Sequence, residues 1–187
     1  MSNVNGTLVW VTGIANSGKT TVSSILVDIL RSKGCNVIHL DGDDLRGVLS
    51  STDQGFTRAD RSTLALIYFR LCNLLVRQGF DIVLSSISLY SEVHQYNATT
   101  FKKLFHVYLD VDEDVAHQRD LVKGVYRNQQ NTGKNNLVGY GIKPDHPEKY
   151  DLVMSNNGDQ TPLQLAMLIY NKLLSPNEGR RLFDISS

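Results

Sequence analysis

Residues 13–20 read GIANSGKT, directly after the apolar run Leu8-Val9-Trp10-Val11 and ahead of a stretch with helical periodicity. The spacing Gly-x4-Gly-Lys-Thr between a strand and a helix is the phosphate-binding P-loop pattern. Gly13 and Gly18 permit backbone angles that turn several amide N–H groups toward one point, at the positive end of a helix dipole. Lys19 supplies charge for the outer phosphates of a nucleoside triphosphate, and the Thr20 hydroxyl is a ligand for Mg2+. Gly13, Ile14, Ala15, Asn16, Ser17, Gly18, Lys19, Thr20 and Thr21 are therefore expected to hold the nucleotide, with Thr20 as the metal ligand.

What surrounds this loop alternates. Residues 9–12, 36–40, 80–85, 105–111 and 150–154 read as strands. Between and after them run helical stretches: residues 20–33 up to Gly34, 59–78 up to Gly79, 92–103, a helix starting over 112–120, and 162–174 with Pro162 in its first turn. Strands alternating with helices predict right-handed crossovers, hence an α/β P-loop NTPase fold with a parallel five-stranded sheet flanked by helices. Ligands in such folds sit at the carboxyl ends of the strands, where residues 13–20 and 41–44 both fall. A single domain is expected over residues 1–175, with a polar tail at 176–187. Residues 124–147 repeat Asn and Gly with little periodicity, and a lid is expected over about 120–147.

Nineteen basic residues balance nineteen acidic ones, so no overall field attracts nucleic acid or anionic lipid. Residues 1–7 are polar, unlike a signal peptide, and no run is long enough to span a bilayer. Cys35 and Cys72 lack metal-ligand spacing, which argues against a zinc site or a disulfide framework and points to the cytoplasm, with both as small buried hydrophobes. The five histidines (His39, His94, His106, His117, His146) are scattered without ligand spacing, and His39 is expected to be a satisfied interior group.

A switch GTPase and a kinase both use such a loop. The base-reading N-K-x-D pattern is missing, since Asn171-Lys172 runs into two leucines. Instead, the second strand runs into Asp41-Gly42-Asp43-Asp44-Leu45-Arg46. In an extended stretch Asp41 and Asp43 project to one side, so that one can take a proton from a substrate hydroxyl and the other orient it or hold Mg2+ through water. Arg46 would neutralise phosphates; a surface Asx-turn is the other reading of these residues. From 119 to 145, Arg119, Lys123, Arg127, Lys134 and Lys143 outnumber Asp120 and Asp145, which suits a cover over polyphosphate, with a solvated loop as the alternative. A kinase accounts for more of these features than a switch or a non-catalytic nucleotide-binding regulator.

In order along the chain, GIANSGKT, LDGDDLR (40–46), GFTRADR (55–61), SIS (86–88) and YLDVDEDVAHQRDLVKGVY (108–126) resemble the adenylylsulfate kinases (APS kinases). These enzymes phosphorylate the 3′-hydroxyl of adenosine 5′-phosphosulfate with ATP and Mg2+. The resemblance implies Asp41 and Asp43 as the catalytic acidic pair, Lys19 at the outer phosphates, and Arg46 and Arg61 on the acceptor's phosphate-bearing end. It also implies Phe56 stacked on the acceptor base, Lys123 covering the reacting groups, Arg119 against the transferring phosphate, and Ser88 at a position described as a phosphoenzyme serine. It implies a small-molecule nucleotide substrate, and a homodimer, although no apolar stripe in the sequence marks an interface.

The departures cluster where the acceptor would bind. The family's ENIRR-like segment becomes Ser62-Thr63-Leu64-Ala65-Leu66, its ISP-aromatic-Arg becomes Ile87-Ser88-Leu89-Tyr90-Ser91, and its FTGI becomes a segment with Leu137 in place of phenylalanine. Each lost guanidinium removes charge-assisted contacts of ~1.5–3 kcal/mol. ATP-dependent phosphorylation of APS is thus one expectation, and a divergent enzyme acting on a cytidine diphosphate conjugate such as cytidine diphosphoramidate is the alternative.

Overall fold

A computed structural model describes residues 6–49, 57–123, 137–138 and 141–175. The expected parallel sheet is present. Strands β1 (Leu8–Thr12), β2 (Val37–Asp41), β3 (Asp81–Ser85), β4 (Leu104–Asp110) and β7 (Leu152–Ser155) lie in the order β2-β3-β1-β4-β7, every pair parallel. Strands β5 (Leu137–Val138) and β6 (Gly141–Ile142) pair separately. The helices are α1 (Lys19–Ser32), α2 (Gly42–Leu49), α3 (Arg58–Val76), α4 (Ser91–Thr100), α5 (Glu113–Lys123) and α6 (Pro162–Leu174).

Strand alternation splits the core between two faces. Val9, Val11, Val107 and Leu109 pack with Leu26 and Leu30 of α1 and Leu165, Ile169 and Leu173 of α6. Leu8, Trp10, Ile82 and Leu84 face Tyr68, Phe69 and Cys72 of α3 and Val93 of α4. Central β1 is covered on both faces, and all five of its residues are buried. Capping boxes start two of the helices: Thr57 with Asp60 for α3, and Thr161 with Gln164 for α6.

Four expectations change. Strand β7 starts two residues late, because Asp151 is used otherwise: its carboxylate accepts from the His106 amide at 2.7 Å. His39 is not satisfied, since Nε2 is buried without a hydrogen-bond partner. Cys35 is only half-buried, although both cysteines are free thiols and burial pushes Cys72 up to about 12. An apolar strip does exist, with Leu163, Met167 and Leu168 of α6 and Val153 of β7 all exposed. Among the described residues no helix is long and apolar enough to cross a membrane. The expected tail, and residues 124–136 and 139–140 of the expected lid, lie outside the described residues.

Candidate active site

The loop leaving β1 is shaped by three residues in the left-handed region: Gly13 at φ 154°, Asn16 at 62° and Gly18 at 91°. A Cβ at Gly13 would stand 2.5 Å from the Leu109 carbonyl oxygen, so only glycine fits there. Ile14, Ala15 and Ser17 are buried beneath the loop, while Thr20 and Thr21 are exposed in the first turn of α1. Lys19 Nζ curls back to the Ile14 carbonyl at 2.7 Å. Nothing caps α1 with a side chain, and Gly18 occupies its N-cap, which leaves the positive helix end for an anion.

The carboxylates come next. Asp41 closes β2, but the chain does not stay extended: Gly42 opens the unforeseen helix α2, and Asp43 lies in its first turn. The two carboxylates are therefore related by a helix cap rather than by strand alternation. Asp41 Oδ1 accepts from the Asp43 amide at 2.9 Å, and Oδ2 accepts from Thr20 Oγ1 at 2.8 Å and Ser85 Oγ at 2.6 Å. Burial pushes the Asp41 carboxyl upward, yet the Ser85, Asp43 and Thr20 hydrogen bonds outweigh it and hold the group below the usual carboxylate range. Asp43 is exposed at the mouth of the site. Tyr68 anchors this turn by donating to the Gly42 carbonyl at 3.2 Å.

Two arginines share the surroundings of Tyr68 with Asp43. Arg61, buried on α3, has its guanidinium pKa lowered by burial and then by the charge of Arg46 on α2, so the two lie close together. Burial raises Tyr68 to about 12; Asp43 and Asp41 push the same way, and Arg46 and Arg61 oppose them. Tyr90, also raised by burial, feels Arg61, Arg46 and Arg58. One cluster thus joins Asp41, Asp43, Arg46, Arg61, Tyr68 and Tyr90.

Ser88 is buried beside this cluster with φ 39°, a strained backbone for a side-chain-bearing residue. The Arg119 guanidinium donates to the main-chain carbonyls of Asn156 (2.7 Å) and Asn16 (3.4 Å), which braces the phosphate loop against the turn after β7. Phe56 and the side chains of Lys123 and Leu137 lie outside the described residues.

Three participants were not singled out from sequence. Asn156, after β7, donates Nδ2 to the Ser17 carbonyl at 2.8 Å. Arg58 bonds Glu92 and Asp145 and approaches the Tyr90 ring at 5.4 Å. Asp145 also receives the Ser91 amide, and its carbonyl meets His94 Nε2 at 2.7 Å. The GFTRADR segment contains Arg58, but no local pattern announces partners thirty or more positions away.

Hard oxygen donors fit Mg2+. The Thr20 hydroxyl spends its proton on Asp41, which leaves its lone pairs for a cation. Among the described residues no group of three or more His, Cys, Asp or Glu could hold a metal ion.

The adenylylsulphate kinase family model matches residues 5–155. The chain belongs to that family. It is a P-loop kinase and a phosphotransferase. It is 35% identical to the cytidine diphosphoramidate kinase of Campylobacter jejuni, over 90% of this chain and 97% of that one. It is 32% identical to an adenylyl-sulfate kinase of a Synechococcus strain, over 91% of this chain and 95% of that one. The structure of the Mycobacterium tuberculosis APS kinase CysC in complex with AMPPNP and APS superposes with a TM-score of 0.80 at 27% identity, covering 91% of this chain and 99% of that one.

Proposed function

We propose that this kinase uses MgATP to phosphorylate a hydroxyl of a small nucleotide-linked acceptor. The observation that carries the proposal is the Thr20–Asp41–Ser85 contact, which ties the tip of β2 to the phosphate loop, while Asp41 also accepts from the amide of Asp43 in the first turn of α2. Gly13, Ile14, Ala15, Asn16, Ser17, Gly18, Lys19, Thr20 and Thr21 form the nucleotide cradle. Mg2+ supplies charge neutralisation at the outer phosphates, with Thr20 as its protein ligand and Asp41 orienting that hydroxyl. The acceptor's own phosphate lies on Arg46 and Arg61, and Phe56 and Leu137 line its base. Asp43 receives the hydroxyl proton as the oxygen attacks in line. Lys19 and Lys123 stabilise charge on the transferring group. Ser88 shapes the acceptor floor, and direct transfer needs no phosphoserine.

APS is the family acceptor. A second reading has its own support: the acceptor segments depart from the APS kinase pattern over residues 62–66, at Ser91 and at Leu137, and a relative named for cytidine diphosphoramidate shares 35% identity. We place the enzyme in the cytoplasm, in keeping with its free thiols, and read the exposed strip on α6 as the face for a second copy. The test is an ADP-release assay with APS and a panel of cytidine, uridine and adenosine conjugates. Release dependent on one of them is expected. Nucleotide binding without release on any acceptor would make the protein a regulator instead.

A further inference from the structure

We infer that Asn156 is a positioning residue for nucleotide binding, which holds the peptide between Ser17 and Gly18 so that its N–H faces the phosphates. The inference rests on reading residues 13–20 as the phosphate cradle. A trans peptide is planar, with its C=O and N–H pointing in opposite directions. Whatever grips the Ser17 carbonyl from outside therefore aims the Gly18 N–H inward. Asn156 does this with a buried Nδ2 donor at 2.8 Å. The amide orientation follows from the partner, because a flipped side chain would set two acceptor oxygens together.

The main chain of Asn156 is itself held at both its N–H and its C=O. The Asn156 amide donates to the Asp110 carbonyl at 2.8 Å, which joins it to the end of β4. Its carbonyl accepts from Arg119, whose other nitrogen reaches Asn16. Asn16 Nδ2 in turn donates to Asp120 on α5 at 2.9 Å. The fit against the loop is close: a Cβ on Gly18 would fall 2.5 Å from Asn156 Nδ2. Glycine at 18 thus serves two ends, the left-handed φ and the approach of this amide. The outer wall of the cradle comes from the far end of the sheet, about 140 residues away in sequence.

Asn156→Ala removes the donor and leaves the Ser17 carbonyl unpaired; Asn156→Asp replaces the donor with an anion. By calorimetry, MgADP should bind about tenfold more weakly to the first variant, and more weakly still to the second in a salt-dependent way. Affinity for adenosine, which has no phosphate, should stay at the wild-type value in both. Asn157→Ala is the control, since Asn157 ties the same turn to the Asp112 amide at 2.9 Å; it should lower the melting temperature but not MgADP affinity. In the wild-type protein, NMR should find the Asn156 side-chain amide protons protected from exchange before and after MgADP is added. Unchanged MgADP affinity in both variants, equal weakening of adenosine and MgADP, or rapid exchange of those protons would each overturn the inference. Wild-type protein that binds no MgADP would instead overturn the cradle reading.

Discussion

At Asp41 three donors meet two carboxylate oxygens: the Asp43 amide on Oδ1, and the Thr20 and Ser85 hydroxyls on Oδ2. A carboxylate so occupied is a poor proton acceptor, whereas the carboxylate of Asp43, exposed two residues on, accepts none of these three bonds. In the proposed mechanism the acidic pair therefore divides its labour. Asp41→Ala should raise the Mg2+ concentration needed for half-maximal rate by roughly tenfold, as loss of a metal ligand's orienting partner does. A titration of rate against Mg2+ at saturating ATP checks this. Gly18→Ala forces a side chain to φ 91° and into Asn156, so nucleotide affinity should fall at least about tenfold. Equilibrium binding of MgATP reads it directly. Gly13, Gly18, Lys19 and Thr20 were legible in sequence because the whole cradle is one continuous segment. Asn156 was not, because its role depends on where β7 ends in space.

Among the elements, the long ones were readable and the short ones were not. Helices α1, α3 and α6 carry apolar residues at helical spacing and end in recognisable stops. Helix α2 has eight residues, only Leu45 of them buried, and opens on Asp-Gly-Asp-Asp, which reads equally well as a turn. That is why Asp41 and Asp43 were expected on one side of an extended chain. The caps separate stability from function. Thr161→Ala removes the α6 capping box and should cost about 1 kcal/mol, lowering the melting temperature by about 2–4 °C with kinetics unchanged. Thr57→Ala should also lower the melting temperature, and in addition should raise the acceptor KM, because α3 carries Arg58 and Arg61. Calorimetry beside steady-state kinetics distinguishes the two.

For the molecule as a whole, acid is the weak point. His106 is stacked on Trp10 at 3.9 Å between ring centroids and 8° between planes, with Nε2 buried and unpartnered. Burial lowers its pKa from 6.5 to about 2; burial also lowers His39 and His94. The unfolded chain therefore takes up protons below about pH 6.5 that the folded one refuses, so stability is held above that pH and lost as pH falls below it. Each such proton contributes a slope of about 1.4 kcal/mol per pH unit. Urea unfolding between pH 5 and 7 should show this slope, and His106→Phe should remove one proton's share of it. The proposed acceptor residues also belong to this scale, since they are spread over α2, α3, α4 and the β5 segment. Leu137→Phe with Ser91→Arg should raise kcat/KM for APS by roughly tenfold or more if lost contacts separate this enzyme from APS kinases; no gain would reject that explanation.

The central claim is that Asp43 takes the acceptor's proton beside a nucleotide cradle that works without it. Single-turnover transfer by Asp43→Asn, measured with MgATP affinity on the same preparation, tests this most directly. Transfer should fall at least about a hundredfold while affinity stays within about twofold of wild type. Near-normal transfer with the amide in place would contradict the account.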